Sequence, residues 1–153
     1  MKKFLLGLVL MLALFTVGCQ KVEDGKYKEG TYLGVKETVD RTGKKFVTTA
    51  LVNVDDKGLI ENVYIDVTYT TKDGVNTTKK VLGDAYGMAK EEGQLEWFEQ
   101  AEAIEDKVVA EQGLEWLTYT DEAKTKTDTI SGVTISVDAY VAALQDALRQ
   151  AKK

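Results

Sequence analysis

The spacing of apolar residues changes its period near residue 78, and this change constrains the fold more than any other feature of the sequence. Before that point, β-branched and aromatic residues alternate with polar ones, as they do in half-buried strands. The apolar face of the longest such segment consists of Val63, Ile65, Val67 and Tyr69. After residue 78, apolar residues recur at a spacing of three or four, which is typical of amphipathic helices. The sequence therefore predicts an α+β fold, an antiparallel meander sheet packed against helices.

The first half predicts about three strands, over 31–35, 46–54 and 59–70. The sequence DDKG separates the second strand from the third, and KDG follows the third. Asp and Gly favour tight turns, so we expect antiparallel hairpin connections.

The second half predicts helices over 78–90 and 95–112, with a loop at 121–129 and a strand or packed turn at 114–119. The last element is a C-terminal amphipathic helix, for which Ser136 is the predicted N-cap. Its apolar stripe comprises Val137, Tyr140, Val141, Leu144, Leu148 and Ala151. Trp97, Phe98 and Trp116 fall within apolar patterns and are expected to be core residues.

The composition excludes several kinds of chemistry. The 153 residues include no histidine, no proline and one cysteine, with a net charge of -5. Without histidine there is no imidazole base and no His-ligated metal, so we expect no catalytic residues and no metal site. The acidic balance argues against nucleic-acid binding. The carboxylates expected to be solvated on a helix face are Glu91, Glu92, Glu96, Glu99, Glu102, Glu105 and Asp106.

The N-terminus resembles a bacterial lipoprotein signal. Lys2 and Lys3 precede an apolar run over 4–15, which is too short to span a membrane. Thr-Val-Gly then leads into Cys19 as a lipobox, which implies cleavage of a signal peptide at 1–18 and diacylglycerol on the cysteine. The remaining chain carries 18 basic and 25 acidic residues, a net charge of -7. Two alternatives are a cleaved signal with an incidental cysteine and a leader fragment that acts as a secreted peptide.

We expect residues 19–28 to form a polar tether and residues 29–153 to form one domain. The segment with the most chemical content in that domain is DTISGVTIS at 128–136. Gly132 permits close approach to the backbone, and Ser131, Thr134 and Ser136 supply hydroxyls near a predicted helix N-terminus. This combination suits a phosphate, although a plain turn before a helix explains the same residues.

The string DTISGVT resembles the flavinylation motif of the FMN-binding domain family. That domain occurs in the flavin-carrying subunits of sodium-pumping NADH:quinone reductases and Rnf complexes, and in flavinylated extracytoplasmic lipoproteins. Asp128, Ser131, Gly132 and Thr134 match the motif in type and spacing, whereas Val133 replaces the common Ala. The resemblance covers roughly residues 27–151, including GTYLG at 30–34 and LGDAYGM at 82–88.

The resemblance implies that Thr134 carries FMN through a phosphoester, attached by a separate flavin transferase that uses FAD and magnesium. The N–H groups of Val133, Thr134 and Ile135 and the Ser131 hydroxyl are then the expected phosphate donors. Asp128 belongs to the part that the transferase recognises, or else forms an Asx turn.

A partly apolar slot is expected for the flavin ring. Its candidate residues are Gly83, Tyr86, Gly87 and Met88. Packing at a helix end is the competing interpretation of these four residues.

The expected function is electron transfer by a lipid-anchored flavoprotein on the extracytoplasmic face of the cell membrane. A membrane reductase would supply electrons, an extracellular acceptor would receive them, and the flavin would supply the chemistry. The protein is then a carrier, or a subunit of a reductase, with no enzymatic activity of its own. The alternative is a surface lipoprotein of the same fold that binds FMN non-covalently or serves in ligand binding or signalling.

Overall fold

Four antiparallel strands form one sheet in the order β1-β2-β3-β4. The computed structural model describes residues 25–153. The strands are β1 (Gly30–Val39), β2 (Lys45–Val54), β3 (Ile60–Thr70) and β4 (Asn76–Thr78). The helices are α1 (Lys79–Leu82), a 3₁₀ turn (Gly83–Tyr86), α2 (Trp97–Glu111) and the C-terminal α3 (Asp138–Ala151). The fold is α+β, as the sequence predicts.

The alternation in the sequence places one face of the sheet in the core. Ala50 pairs with Ile65 and Val52 pairs with Val63 across β2 and β3, and all four side chains are buried. The DDKG turn forms as expected because the Asp55 carboxylate accepts N–H groups further along the turn. These contacts join β2 to β3 without a crossover.

Helices α2 and α3 cover this face side by side. Helix α3 packs on β1 and β2, and α2 packs on β3. The indole Nε1 of Trp97 in α2 donates to the Tyr140 hydroxyl in α3 at 3.0 Å, which ties the two helices together. Every member of the predicted α3 stripe is buried. Trp97 is a core residue, and Phe98 and Trp116 pack against the core, as predicted.

Side chains of α2 and of its C-cap, Gln112, bind the part of β3 that the short β4 leaves unpaired. The Glu105 carboxylate accepts the N–H of Ile65 at 2.5 Å, and the Gln112 side chain accepts the N–H of Ile60 and donates to its carbonyl. Glu105 also pairs with Lys80 at 2.7 Å. The prediction that Glu105 and Glu96 are solvated is wrong, because both are buried as hydrogen-bond acceptors for backbone N–H groups.

The helix predicted at 78–90 is shorter than expected. It consists of α1 and the 3₁₀ turn only, because Gly83 and Gly87 end these pieces with φ of +52° and +69°. Segment 114–119 contains turns and no strand. The predicted N-cap of α3 is also wrong: the capping position is Val137, one residue beyond Ser136, and no side chain caps it.

The folded domain begins earlier than the predicted boundary at residue 29. Tyr27 is buried in the core, and the N–H of Lys28 donates to the carbonyl of Ala151 at 2.7 Å. The end of the predicted tether therefore packs against the end of α3, because an aromatic ring here has a core site to fill. The predicted signal at 1–18, Cys19 and tether residues 20–24 lie outside the described residues. Within 25–153, no helix is both long and apolar enough to cross a membrane.

Candidate functional site

The segment before α3 alternates between the core and the surface. Val133, Ile135 and Val137 are buried, whereas Gly132, Thr134 and the intervening Ser136 are exposed. Every second side chain of this segment packs into the core, although the backbone bends at Ile135 and forms no strand. The alternation leaves the Thr134 side chain at the surface, and it directs the Val133 side chain into the core. The residue that departs from the family motif therefore does not crowd Thr134.

The buried Gln100 side chain in α2 holds the backbone at Thr134 in place. Its Oε1 accepts the N–H of Thr134 at 2.8 Å, the N–H of Ile135 at 3.1 Å and the Thr134 hydroxyl at 3.4 Å. Its Nε2 donates to the carbonyl of Leu95 at 2.9 Å. The sequence analysis missed this residue. A signal was present, because Gln100 lies three residues after Trp97 on the buried stripe of α2, where a polar side chain needs a partner.

A cavity of about 230 Å³ lies beside Thr134, and we call it the threonine cavity. Its walls include Thr134, Gly132, Met88, Leu95 and Gln100. Gly132 has a φ of +82°, and a Cβ there would lie 2.7 Å from the Leu95 side chain. The positive φ favours glycine here, and any larger residue would also require the Leu95 side chain to rotate.

The three backbone N–H groups predicted to bind phosphate already have partners inside the protein. The N–H of Val133 donates to the Ile130 carbonyl at 3.3 Å, and those of Thr134 and Ile135 donate to Gln100. Ser131 and Asp128 are exposed, and no hydrogen bond joins either side chain to another described residue. The Asx turn considered for Asp128 does not form. Helix α3 begins four residues beyond Thr134, so its N-terminus is also displaced from the predicted phosphate position.

The four residues predicted to contact a flavin ring are not brought together. Met88 lines the threonine cavity, whereas Tyr86 packs edge-on against Tyr69 in a different cavity, with ring centres 5.3 Å apart. Gly83 and Gly87 end short helical pieces. For the two glycines, the interpretation as helix-end residues accounts for their positions.

Glu96 fixes the Met88 wall of the threonine cavity. Its carboxylate accepts the N–H groups of Met88 and Ala89, each at 2.9 Å, and it also accepts the N–H of Trp97. The N–H of Met88 above all lowers the pKa of Glu96 below its usual range. Glu96 is therefore ionised at neutral pH, and it caps α2 with a capping box shared with Glu99.

Gln100→Leu is expected to destabilise the domain by about 2 kcal/mol, because it leaves the buried N–H of Ile135 without an acceptor. Amide hydrogen exchange measured by NMR should speed up at Thr134 and Ile135. Gln94→Leu is the matched control, because Gln94 lines the same cavity but accepts only the N–H groups of the exposed Lys90 and Glu91. Unchanged exchange at Ile135 in Gln100→Leu would show that Gln100 does not hold this segment.

Comparison with known proteins finds one solved structure that is similar to this chain. No family model and no curated protein matches it. It is similar to a protein from Clostridium thermocellum, a structural-genomics target whose structure was determined by solution NMR. The two sequences are 35% identical, the match covers 82% of this chain and 93% of the other, and the TM-score is 0.54. The chain belongs to the same family as this Clostridium thermocellum protein.

Proposed function

We propose that the protein carries FMN covalently on Thr134 and acts as an electron-transfer flavoprotein. The observation that supports this proposal best is the exposed Thr134 side chain beside a cavity, within a segment that resembles a flavinylation motif. A phosphoester needs a hydroxyl that a modifying enzyme can reach, and Thr134 meets that need. FMN, when attached, supplies one- and two-electron transfer, for which the described side chains have no substitute.

The residues around Thr134 fit a covalent link better than a non-covalent phosphate site. A non-covalent site needs free N–H donors, and the three nearest amides donate to Ile130 and Gln100. An ester bond to the Thr134 hydroxyl requires no such set of free N–H donors. Gln100 and Gly132 would orient the ester, by holding the backbone of Thr134 and by leaving space beside it.

We also propose that the domain lies close to the outer face of the cell membrane. If Cys19 carries lipid, six peptide units separate it from Gly25, whose N–H donates to the Lys57 carbonyl. That length of chain reaches at most about 20 Å. The short reach favours electron exchange with a membrane-bound partner, and a flavin transferase on the same face would attach the FMN.

Thr134→Ala is expected to abolish flavin attachment completely. The wild-type full chain, co-expressed with a flavin transferase, should give a yellow precipitate after denaturation, and its mass should increase by one FMN less water. Thr134→Ala should show neither the colour nor the mass increase. Ser136→Ala is the matched control, because its hydroxyl is exposed in the same segment but lies outside the motif, and this variant should remain yellow. A colourless wild-type precipitate, or label that persists in Thr134→Ala, would refute the proposal.

A further inference from the structure

A second cavity, of about 300 Å³, lies between the sheet and the start of α3, and the proposed function does not use it. We call it the aromatic cavity because the rings of Phe46, Tyr69, Tyr86 and Tyr140 line it. Thr134 is not among its lining residues. Its volume is at the lower end of the range for small-molecule sites, which suits a ligand with one or two fused rings.

Lys79 places a positive charge in the aromatic cavity. Its Nζ lies 4.9 Å from the centre of the Tyr86 ring and 5.1 Å from that of Trp97. No carboxylate of the described residues lies within salt-bridge distance of it, although the adjacent Lys80 pairs closely with Glu105. Burial lowers the pKa of Lys79 to about 8, so the ammonium form still predominates at pH 7.

The charge around the aromatic cavity is positive, in contrast to the acidic chain as a whole. Lys44 lies at the same rim, with its Nζ 4.9 Å from the Tyr69 ring centre and 5.3 Å from the Phe46 ring centre. Its ammonium donates to the Thr70 carbonyl. The exposed Asp138 is the one carboxylate that lines the cavity. With two cations and one anion, the cavity offers an anion both positive charge and apolar walls.

The partly buried ammonium of Lys79 lowers the free energy of unfolding. A half-buried ammonium with no carboxylate at salt-bridge distance is destabilising, although Asp66 attracts it from further away, and a methionine of similar length would fill the same space without charge. Residues that lower stability in this way are commonly kept for function.

We propose that the aromatic cavity binds a small aromatic anion. The rings of the ligand pack against the tyrosines, and its anionic group pairs with Lys79. The Thr48 and Ser136 side chains at the wall provide further polar contacts. Because Thr134 lines the other cavity, this site does not depend on flavin attachment.

The test uses the full chain with 2-naphthoate as the probe and 2-naphthalenemethanol as its neutral analogue. Calorimetry should show that naphthoate binds at least tenfold more tightly than the alcohol. NMR should show shifted amide signals at Tyr69, Tyr86 and Ser136. Lys79→Met should weaken naphthoate binding at least tenfold and at the same time raise the thermal unfolding midpoint, whereas loss of a structural lysine would lower it.

Two controls make the result specific. Lys72→Met removes an exposed charge from the turn after β3 and should change neither the affinity nor the midpoint. Thr134→Ala should bind naphthoate as the wild type does, even if the flavin proposal fails. Absence of naphthoate binding at millimolar concentration would overturn the inference. So would equal affinity for the alcohol, full affinity in Lys79→Met, or loss of binding in Thr134→Ala.

Discussion

Gly34→Ala is expected to destabilise the domain by about 3 kcal/mol, the upper end of the cost of overpacking. Gly34 lies in β1, where α3 crosses the strand at backbone distance. A Cβ on Gly34 would overlap the carbonyl oxygen of Ala143 and lie 2.7 Å from the amide nitrogen of Ala147. These atoms belong to the helix backbone, so no side chain can rotate to make room. The whole of α3 would have to move away from the sheet.

Denaturant unfolding followed by circular dichroism measures this effect. Val35→Ala is the matched control, because Val35 is the next residue of β1, is 47% exposed and lies on the opposite face of the sheet. It should cost less than about 1 kcal/mol. A Gly34→Ala protein as stable as Val35→Ala would mean that α3 does not pack on β1 as closely as described.

The sheet and α3 could be predicted from the sequence because their signals are local. Alternation along β3 and the stripe of α3 each depend on one buried face, and the burial of those faces agrees with the pattern. The prediction of one helix over 78–90 is wrong for an equally local reason. Gly83 and Gly87 have positive φ and stop the helical pieces. The sequence allows two interpretations of these glycines, contact with a flavin ring or packing at a helix end, and only the second ends the helix early.

The interactions that the sequence could not predict link residues far apart in the chain. Gln100 is 34 residues from Thr134, and Glu105 is 40 residues from Ile65. The apolar periodicity of a helix indicates which face of that helix a carboxylate lies on. It does not indicate whether that face packs against an unpaired strand edge. The exposure of Thr134 is compatible with the motif, whereas the sequence could not show that Met88 and Tyr86 line different cavities.

Lys80→Met is expected to destabilise the domain by about 3 kcal/mol at pH 7, because it leaves the Glu105 carboxylate buried without its cation. The side chains of Lys80 and Glu105 are only 11% and 9% exposed, so water cannot replace the lost partner. The Lys80 ammonium also lies 4.1 Å from the centre of the Tyr64 ring, and that contact is lost as well. Lys107→Met is the control, because it breaks the more exposed pair with Glu111 and should cost less than about 1 kcal/mol.

The loss in Lys80→Met should depend on pH, and the direction follows from Glu105. Burial raises the pKa of Glu105 above its ordinary value even though Lys80 opposes the rise, so removing Lys80 raises that pKa further. A carboxyl group whose pKa is higher in the folded state than in the unfolded state stabilises the folded protein at low pH. This stabilisation is lost as pH rises through the folded-state pKa. The difference from wild type should therefore be smallest near pH 4.5, where Glu105 is mostly protonated in the folded variant, and should grow toward pH 7.

Unfolding free energies of both proteins across this range test the mechanism, together with the double variant Lys80→Met/Glu105→Gln. Glutamine keeps an acceptor for the N–H of Ile65 but carries no charge, so the double variant should recover part of the loss at pH 7 and show a much weaker pH dependence. If Lys80→Met lost the same free energy at pH 4.5 and pH 7, packing of the Lys80 stem would explain the effect, and Glu105 would not be the buried charge that controls this edge of the sheet.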